Sequence, residues 1–376
     1  MITMRQPAPS VSPVPQSSIG GHVWAVVLAG GQGIRLRELT RHVYGDDRPK
    51  QYAVLTGGKS LLRQTLDRVG ALIPRQQIVV VTMAGHSAYV TAELRHETPA
   101  PHVLEQPRDR GTAAAVLLAA HWILVRDPDA VMVVLPSDHF VGEDEAFMGH
   151  VADAVRILDR QSDRIVLLGA APSEAETDYG WIELGEPLGG PVSSQMYRVR
   201  HFREKPTPAM ADELYRAGAL WNTFVFAGRA AALVEAGGEC LPALHERLAR
   251  LWRFLGTEHE RWAIGQAYEL SPRANFSQAV LERCPRKLVV VRLSAVSWRD
   301  LGTPRRVVET LGELGMRPQW LDTLLLDTVL KEAGSASGPA RPAVLSGMPQ
   351  GVVQVDGGAD EGQMGQGLRE IAQRFA

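Results

Sequence analysis

The chain has 376 residues, of which 45% are hydrophobic and 22% charged, and its formal net charge is −2. That length exceeds one average domain and allows a substantial core. The near-neutral charge gives no general attraction to nucleic acid or anionic membrane, and no stretch approaches the roughly 20 apolar residues of a membrane span.

Residues 1–22 are rich in Pro, Ser and Gln, lack the apolar core of a signal peptide, and read as a disordered leader. Short β-branched runs at 23–28, 78–82, 131–135 and 165–168 read as buried strands. Between them, 61–72, 87–96 and 112–125 carry helical periodicity. This alternation predicts an α/β fold with a mostly parallel sheet covered by helices, and ligands on such sheets bind beyond the carboxyl ends of the strands. From about Tyr179 short strands take over at 179–184, 197–204 and 220–226. Helices are predicted at 208–217, 240–255 and 258–269, further strands at 289–293 and 296–298, and a last helix at 304–314. Residues 334–347, rich in Gly, Ala, Ser and Pro, read as a linker within a poorly patterned extension over 316–376, with one short helix near 367–375. There is no hexapeptide repeat of the kind that builds a β-helix. Cys240 and Cys284 have neither metal-ligand spacing nor a disulfide framework, so a reduced cytoplasmic compartment is the simplest reading.

Chemistry enters at Ala29-Gly30-Gly31-Gln32-Gly33-Ile34-Arg35-Leu36, directly after the first strand, followed by Arg48-Pro49-Lys50-Gln51. Glycines let the backbone turn sharply against a phosphate, and Arg35 and Lys50 add charge to the amide dipoles. A dinucleotide fingerprint would need Gly or Ala where Leu36 stands. A P-loop ending in Gly58-Lys59-Ser60 would need glycine in place of Ala53. Only five of the 40 basic residues are lysines, so Lys50 and Lys205, both inside motifs, are more informative than any single arginine. Asp138, in Leu135-Pro136-Ser137-Asp138-His139, follows a buried strand, where a carboxylate suits Mg²⁺, although by itself an Asp at such a place is more often a helix cap. His139 has no partner at ligand spacing and reads as structural.

These motifs, in this order from about residue 23 to 314, resemble those of sugar-1-phosphate nucleotidylyltransferases, and among them the mannose-1-phosphate guanylyltransferases. The resemblance implies a Rossmann-like mixed sheet flanked by helices, forming one catalytic domain over 23–315. It implies that the amides of Ala29, Gly30, Gly31 and Gly33 hold a triphosphate while Arg35 and Lys50 stabilise charge on the reacting phosphates. Asp138 and Asp300, the latter in Trp298-Arg299-Asp300-Leu301-Gly302, match the family's Mg²⁺ ligands. Phe202-Arg203-Glu204-Lys205-Pro206 resembles the motif whose Glu takes sugar hydroxyls and whose Lys takes the sugar phosphate. Gly180, in Tyr179-Gly180-Trp181-Ile182-Glu183, and Asn222, in Trp221-Asn222-Thr223-Phe224, match further sugar-side positions. Gln106, Gly111 and Thr112 fall in the base-recognition segment, Gln106-Pro107-Arg108-Asp109-Arg110-Gly111-Thr112-Ala113.

Departures from the family pattern include Ile34 for Thr, Gln106 for Glu, Gly111 for Asn, Phe224 for Gly and Ser277 for Asp. The expected reaction is NTP plus sugar-1-phosphate giving NDP-sugar and pyrophosphate, with GTP, mannose-1-phosphate and GDP-mannose as the specific expectation. Two alternatives stand beside it: a uridylyl- or thymidylyltransferase acting on glucose-1-phosphate, and a non-catalytic nucleotide or sugar-phosphate sensor. The partners so implied are the two small substrates, without nucleic acid or membrane, and a homodimer is the assembly considered.

Overall fold

A computed structural model describes residues 20–188 and 195–322. The first strand, β1 (Val23–Ala29), shows how the sequence builds two layers. Val23, Ala25, Val27 and Ala29 face one set of helices, while Trp24 and Val26 face the other. Successive strand residues point to opposite faces, so an apolar run with no polar positions must be covered on both sides.

The chain continues through α1 (Arg37–Tyr44), α2 (Leu61–Gly70), β2 (Ile78–Met83), α3 (Ser87–Leu94) and β3 (His102–Gln106). Then come α4 (Gly111–Leu124), β4 (Val131–Pro136), β5 (His139–Val141), α5 (Asp144–Leu158) and β6 (Ile165–Ala170). The second half holds β7 (Gly180–Pro187), β8 (Met196–Glu204), α6 (Pro208–Arg216), β9 (Leu220–Arg229) and α7 (Ala230–Cys240). It ends with α8 (Pro242–Ala249), α9 (Glu260–Glu269), β10 (Leu288–Arg292), β11 (Trp298–Asp300) and α10 (Pro304–Glu313).

Nine strands form one mixed sheet in the order β3-β2-β1-β4-β9-β6-β10-β8-β7. The block β3-β2-β1-β4 is parallel, as is β6 with β10, and the remaining pairings are antiparallel. A further pairing of β7 with β9 curls the distal half back on itself. Helices α2, α3 and α5 cover one face, and α4, α7, α8 and α9 the other. Helix α4 is buried all round from Ala113 to Leu124, and a Cβ at Gly237 of α7 would fall 2.6 Å from Leu117, so glycine permits that close approach. The fold is thus α/β, with a Rossmann-like mixed sheet flanked by helices, and no β-helix occurs among the described residues. No described helix is long and apolar enough to cross a membrane.

Three departures from the predicted elements have physical causes. The helix expected at 240–255 is shorter, because α7 stops at Cys240, Pro242 starts α8 and the chain tightens into a 3₁₀ turn at Arg250–Arg253. Strand β3 and helices α1, α5 and α7 were not predicted; β3 is half polar (His102, Glu105, Gln106), which hides its strand character. Cys240 and Cys284 are free thiols whose sulfurs lie 3.2 Å apart, a proximity their sequence spacing conceals. Most of the leader, the linker, and the helix expected near 367–375 lie outside the described residues.

A third, smaller cluster ties the loops at the sheet edge together. Leu36 and Leu39, Ala53 and Leu55, and Leu301, Val307 and Leu311 pack together with Phe140. This cluster brings the glycine loop, the Pro49-Lys50 turn and the start of α10 to the carboxyl end of the parallel strands.

Candidate active site

The four parallel strands end side by side at Gln106, Met83, Ala29 and Pro136, and the candidate site lies beyond that edge. The glycine loop leaves β1 there. Gly33 has φ 62, and a Cβ on it would fall 2.8 Å from the Lys50 amide nitrogen. Glycine is needed both for the left-handed backbone and for this contact. Gln51 donates from Nε2 to the carbonyls of Ala29 (2.9 Å) and Gly31 (2.8 Å), and the Tyr52 hydroxyl donates to Ala29 at 3.1 Å. The carbonyls that would repel a phosphate are therefore held inward. Gln51 and Tyr52 received no role from sequence reasoning, although their place directly after Lys50 was the available signal.

Lys50 is only 8% exposed. Its Nζ lies 2.9 Å from Asp300 Oδ1, 3.2 Å from Asp138 Oδ2 and 3.1 Å from the Leu301 carbonyl. Burial opposes its charge, but Asp138 and Asp300 together raise Lys50 above the ordinary lysine value. Asp300 shows the reverse balance: burial disfavours its carboxylate, and Lys50 and His139 hold it well below the usual range. His139, read from sequence as structural, stands beside both carboxylates, 3.7 Å from Asp138 and 3.9 Å from Asp300. Burial lowers its pKa against the pull of those two acids.

Asp138 and Asp300, 162 positions apart in the sequence numbering, thus share one cationic point. Two carboxylates converging on a point charge fit a hard divalent cation, which completes its shell with substrate phosphate and water. Among the described residues no group of three or more His, Cys, Asp or Glu forms a closed metal site, so this pair needs such outside ligands. Gly302 keeps the approach open: a Cβ there would lie 3.0 Å from both Asp300 and Arg35. Arg35 itself is half exposed at the rim, paired with Asp178 at 2.7 Å, and does not line the cleft.

The cleft has a volume of ≈ 570 Å³, and Gly30, Gly31, Gln106, Gly111, Thr112 and Asp138 are among its walls. Gln106 is buried; its Oε1 accepts from the Tyr268 hydroxyl at 3.1 Å, which leaves the Nε2 donors at Gly30. Gly111 has φ 78, and a Cβ would fall 2.3 Å from the Ala274 carbonyl, so only glycine fits between α4 and that segment. Thr112 Oγ1 accepts from the Phe276 amide at 2.8 Å. Arg110 turns away and donates to the carbonyls of Tyr268 and Glu269.

Next to this cleft, Gly180 pairs with Glu204 across β7 and β8, and its missing Cβ makes room for the Glu204 carboxylate. Burial pushes the Glu204 carboxyl above its ordinary value, against Lys205 and hydrogen bonds from Asn275 and Ser277. Asn275 lines the cleft and donates to Glu204 at 3.3 Å, so it joins the two compartments. Asn222 is buried, and its Nδ2 lies 3.5 Å from Ser277 Oγ. Ser277 therefore fills, without charge, the place beside Glu204. Lys205 is exposed at the end of β8 with φ 49. Trp181, next to Gly180, is wholly buried core.

A family model described as nucleotidyl transferase matches residues 24–314, the span of the whole sheet. The chain belongs to the nucleotidyl transferase family. Among its relatives is mannose-1-phosphate guanylyltransferase 2 of Escherichia coli O157:H7, 32% identical over 74% of this chain and 58% of that protein. The alginate biosynthesis protein AlgA of Pseudomonas aeruginosa is 31% identical over 74% of this chain and 56% of its own length. The crystal structure of a mannose-1-phosphate geranyltransferase from Thermus thermophilus is similar at TM-score 0.65 and 33% identity, covering 76% of this chain and 79% of that one. This nucleotidyl transferase family member thus spans little more than half the length of the curated relatives it matches.

Proposed function

We propose that the protein transfers a nucleotidyl group from an NTP to a sugar-1-phosphate, releasing pyrophosphate, with GTP and mannose-1-phosphate as substrates. The observation that carries this reading is Lys50 held between Asp138 and Asp300 beneath the glycine loop, at the mouth of a cleft. In the reaction a phosphate oxygen of the sugar-1-phosphate forms a bond to the α-phosphorus, and the bond from that phosphorus to the β,γ-pyrophosphate breaks. No protein nucleophile or external oxidant is required.

This chain contributes position and charge. Amides of the Ala29–Gly33 loop receive the triphosphate, Lys50 supplies positive charge to the reacting phosphates, and Arg35 closes over them from the rim. Gln106, Gly111 and Thr112 form the base end, and Glu204, Lys205, Gly180 and Asn222 the sugar end. Asp138 and Asp300 would hold Mg²⁺, which supplies charge neutralisation on the phosphates when bound.

The test is pyrophosphate release from a panel of GTP, UTP and dTTP with mannose- and glucose-1-phosphate. The Gln106 amide offers both donor and acceptor capacity at the base end, and a wrong base leaves a buried polar group unpaired, about 1–3 kcal/mol. On the guanylyl reading GTP is expected to exceed UTP and dTTP at least about tenfold in kcat/KM. Gln106→Glu should preserve or sharpen that order. A preference for UTP or dTTP would overturn the guanylyl reading alone, and tight nucleotide binding without turnover would favour a sensor.

Two further variants separate roles. Arg35→Ala should mainly lower kcat, because its charge acts on the reacting phosphates, whereas Lys205→Ala should mainly raise KM for the sugar phosphate. An unchanged sugar-phosphate KM in Lys205→Ala removes that lysine from the site.

A further inference from the structure

Phe224 is held in a conformation that side chains rarely adopt. Its φ is 57, in the left-handed region, where a bulky aromatic is a backbone outlier. Strand β9 is irregular at this point: Leu167 pairs with Phe226 and Gly169 with Asn222, leaving residues 223–225 opposite Leu168 alone. Such bulges re-aim a side chain out of the strand's normal alternation. Three hydrogen bonds fix this one. Asn222 Oδ1 accepts from the Phe224 amide at 3.1 Å, Thr223 Oγ1 donates to the Leu168 carbonyl at 2.7 Å, and the Val225 amide donates to Thr223 Oγ1 at 3.2 Å.

The result is that Phe224 lines the cleft together with Gln106, Thr112 and Asn275. Its ring is not loose. It stands edge-on to Phe226, with centroids 5.7 Å apart, and Phe226 stacks flat on Phe276 at 5.2 Å. The side-chain amide that holds the bulge belongs to Asn222, a residue of the proposed sugar end, and Asn275 on the same cleft wall contacts Glu204. Phe224 therefore stands where the nucleotide cleft meets the sugar end. Strain held in place by several converging bonds is a feature of binding sites, where it serves to present a group.

Resting on the proposed nucleotidyl transfer, we propose that Phe224 is a specificity-determining residue, a rigid aromatic wall that admits an unsubstituted hexose-1-phosphate and excludes an N-acylated hexosamine phosphate. A pyranose ring can lie its C–H surface against an aromatic face or edge. An acetamido group must displace the ring, and the ring cannot yield without disturbing Phe226 and Phe276. Discrimination of this kind comes from a repulsive element as much as from attraction.

The experiment compares kcat/KM for an N-acetylhexosamine-1-phosphate and for mannose-1-phosphate, with one NTP, in the wild-type protein, Phe224→Gly and Phe224→Asn. Gly and Asn both tolerate the left-handed backbone, so the bulge should survive in at least one of them. The expected result is a rise of roughly tenfold or more in the N-acetylhexosamine to mannose ratio in both variants, on the scale by which pocket shape discriminates. An unchanged ratio in a folded variant overturns the inference while leaving nucleotidyl transfer intact. An unchanged ratio with a large rise in NTP KM also overturns it, because the ring then serves the base. Failure of the wild-type protein to release pyrophosphate from any pair overturns the underlying reading instead.

Discussion

Lys50→Met is expected to cost about 3–5 kcal/mol of stability at neutral pH, because it leaves two carboxylates facing each other in a nearly buried site. In the wild-type chain Lys50 Nζ lies within 3.2 Å of both Asp138 and Asp300. The sign of the pH dependence follows from which way each group is shifted. Asp300 is held below its ordinary value, so its contribution is present above the unfolded carboxylate pKa and is lost as pH falls through the lower folded value. Lys50 is raised, so its contribution persists through neutral pH and is lost only as pH climbs past its folded value. In the Met variant Asp300 loses the cation that lowers its pKa, and burial pushes it upward instead. The deficit should therefore be greatest near pH 8 and shrink as pH falls toward about 4, where an unfolded Asp also protonates. Mg²⁺ should replace the missing cation. At free Mg²⁺ about 100 times its Kd the variant would recover roughly 2.7 kcal/mol by mass action. Thermal melts from pH 4.5 to 8, with and without Mg²⁺, read both effects. A variant as stable as wild type at pH 7.5, with no Mg²⁺ shift, would show that Lys50 is not the counter-ion of this pair.

The parts of the fold legible in the sequence are those with one physical signal. The runs that form β1, β2, β4 and β6 are apolar throughout because helices cover both faces, and the expected bounds agree to within a residue or two. Strand β3 escapes because His102, Glu105 and Gln106 serve other ends, with Gln106 on the cleft. At the site, Gly33, Gly111 and Gly180 each need the absence of a Cβ, which a motif can suggest and only the neighbouring atoms explain. What the sequence could not display is convergence. Nothing local tells that Asn275 spans two compartments, that Tyr268 orients Gln106, or that His139 borders both acids. The aromatic at 224 is visible as a departure, but its left-handed backbone and bulge belong to three-dimensional pairing.

Asp138→Asn and Asp300→Asn should each lower turnover by about a thousandfold, since cation stabilisation of phosphate charge is worth several kcal/mol and ~1.4 kcal/mol is one decade. The amide keeps the shape and still offers Lys50 an oxygen, and the remaining carboxylate still balances the ammonium. Asp138→Asn should therefore melt close to wild type, which separates the loss of activity from loss of fold, whereas Asp300→Asn should melt lower by the contribution that its lowered pKa carries. The Mg²⁺ concentration needed for half-maximal rate should rise in both. Because the two acids act at one cationic point, their effects on rate should not add, and the double variant should turn over about as slowly as either single one. Stability should behave in the opposite way. With both acids replaced, Lys50 remains buried with the Leu301 carbonyl and no carboxylate partner, so the double variant should melt well below either single one. A single variant that keeps the wild-type rate at low Mg²⁺ would exclude that Asp as a ligand. Strictly additive rate losses in the double variant would show that the two carboxylates act at separate places rather than on one ion.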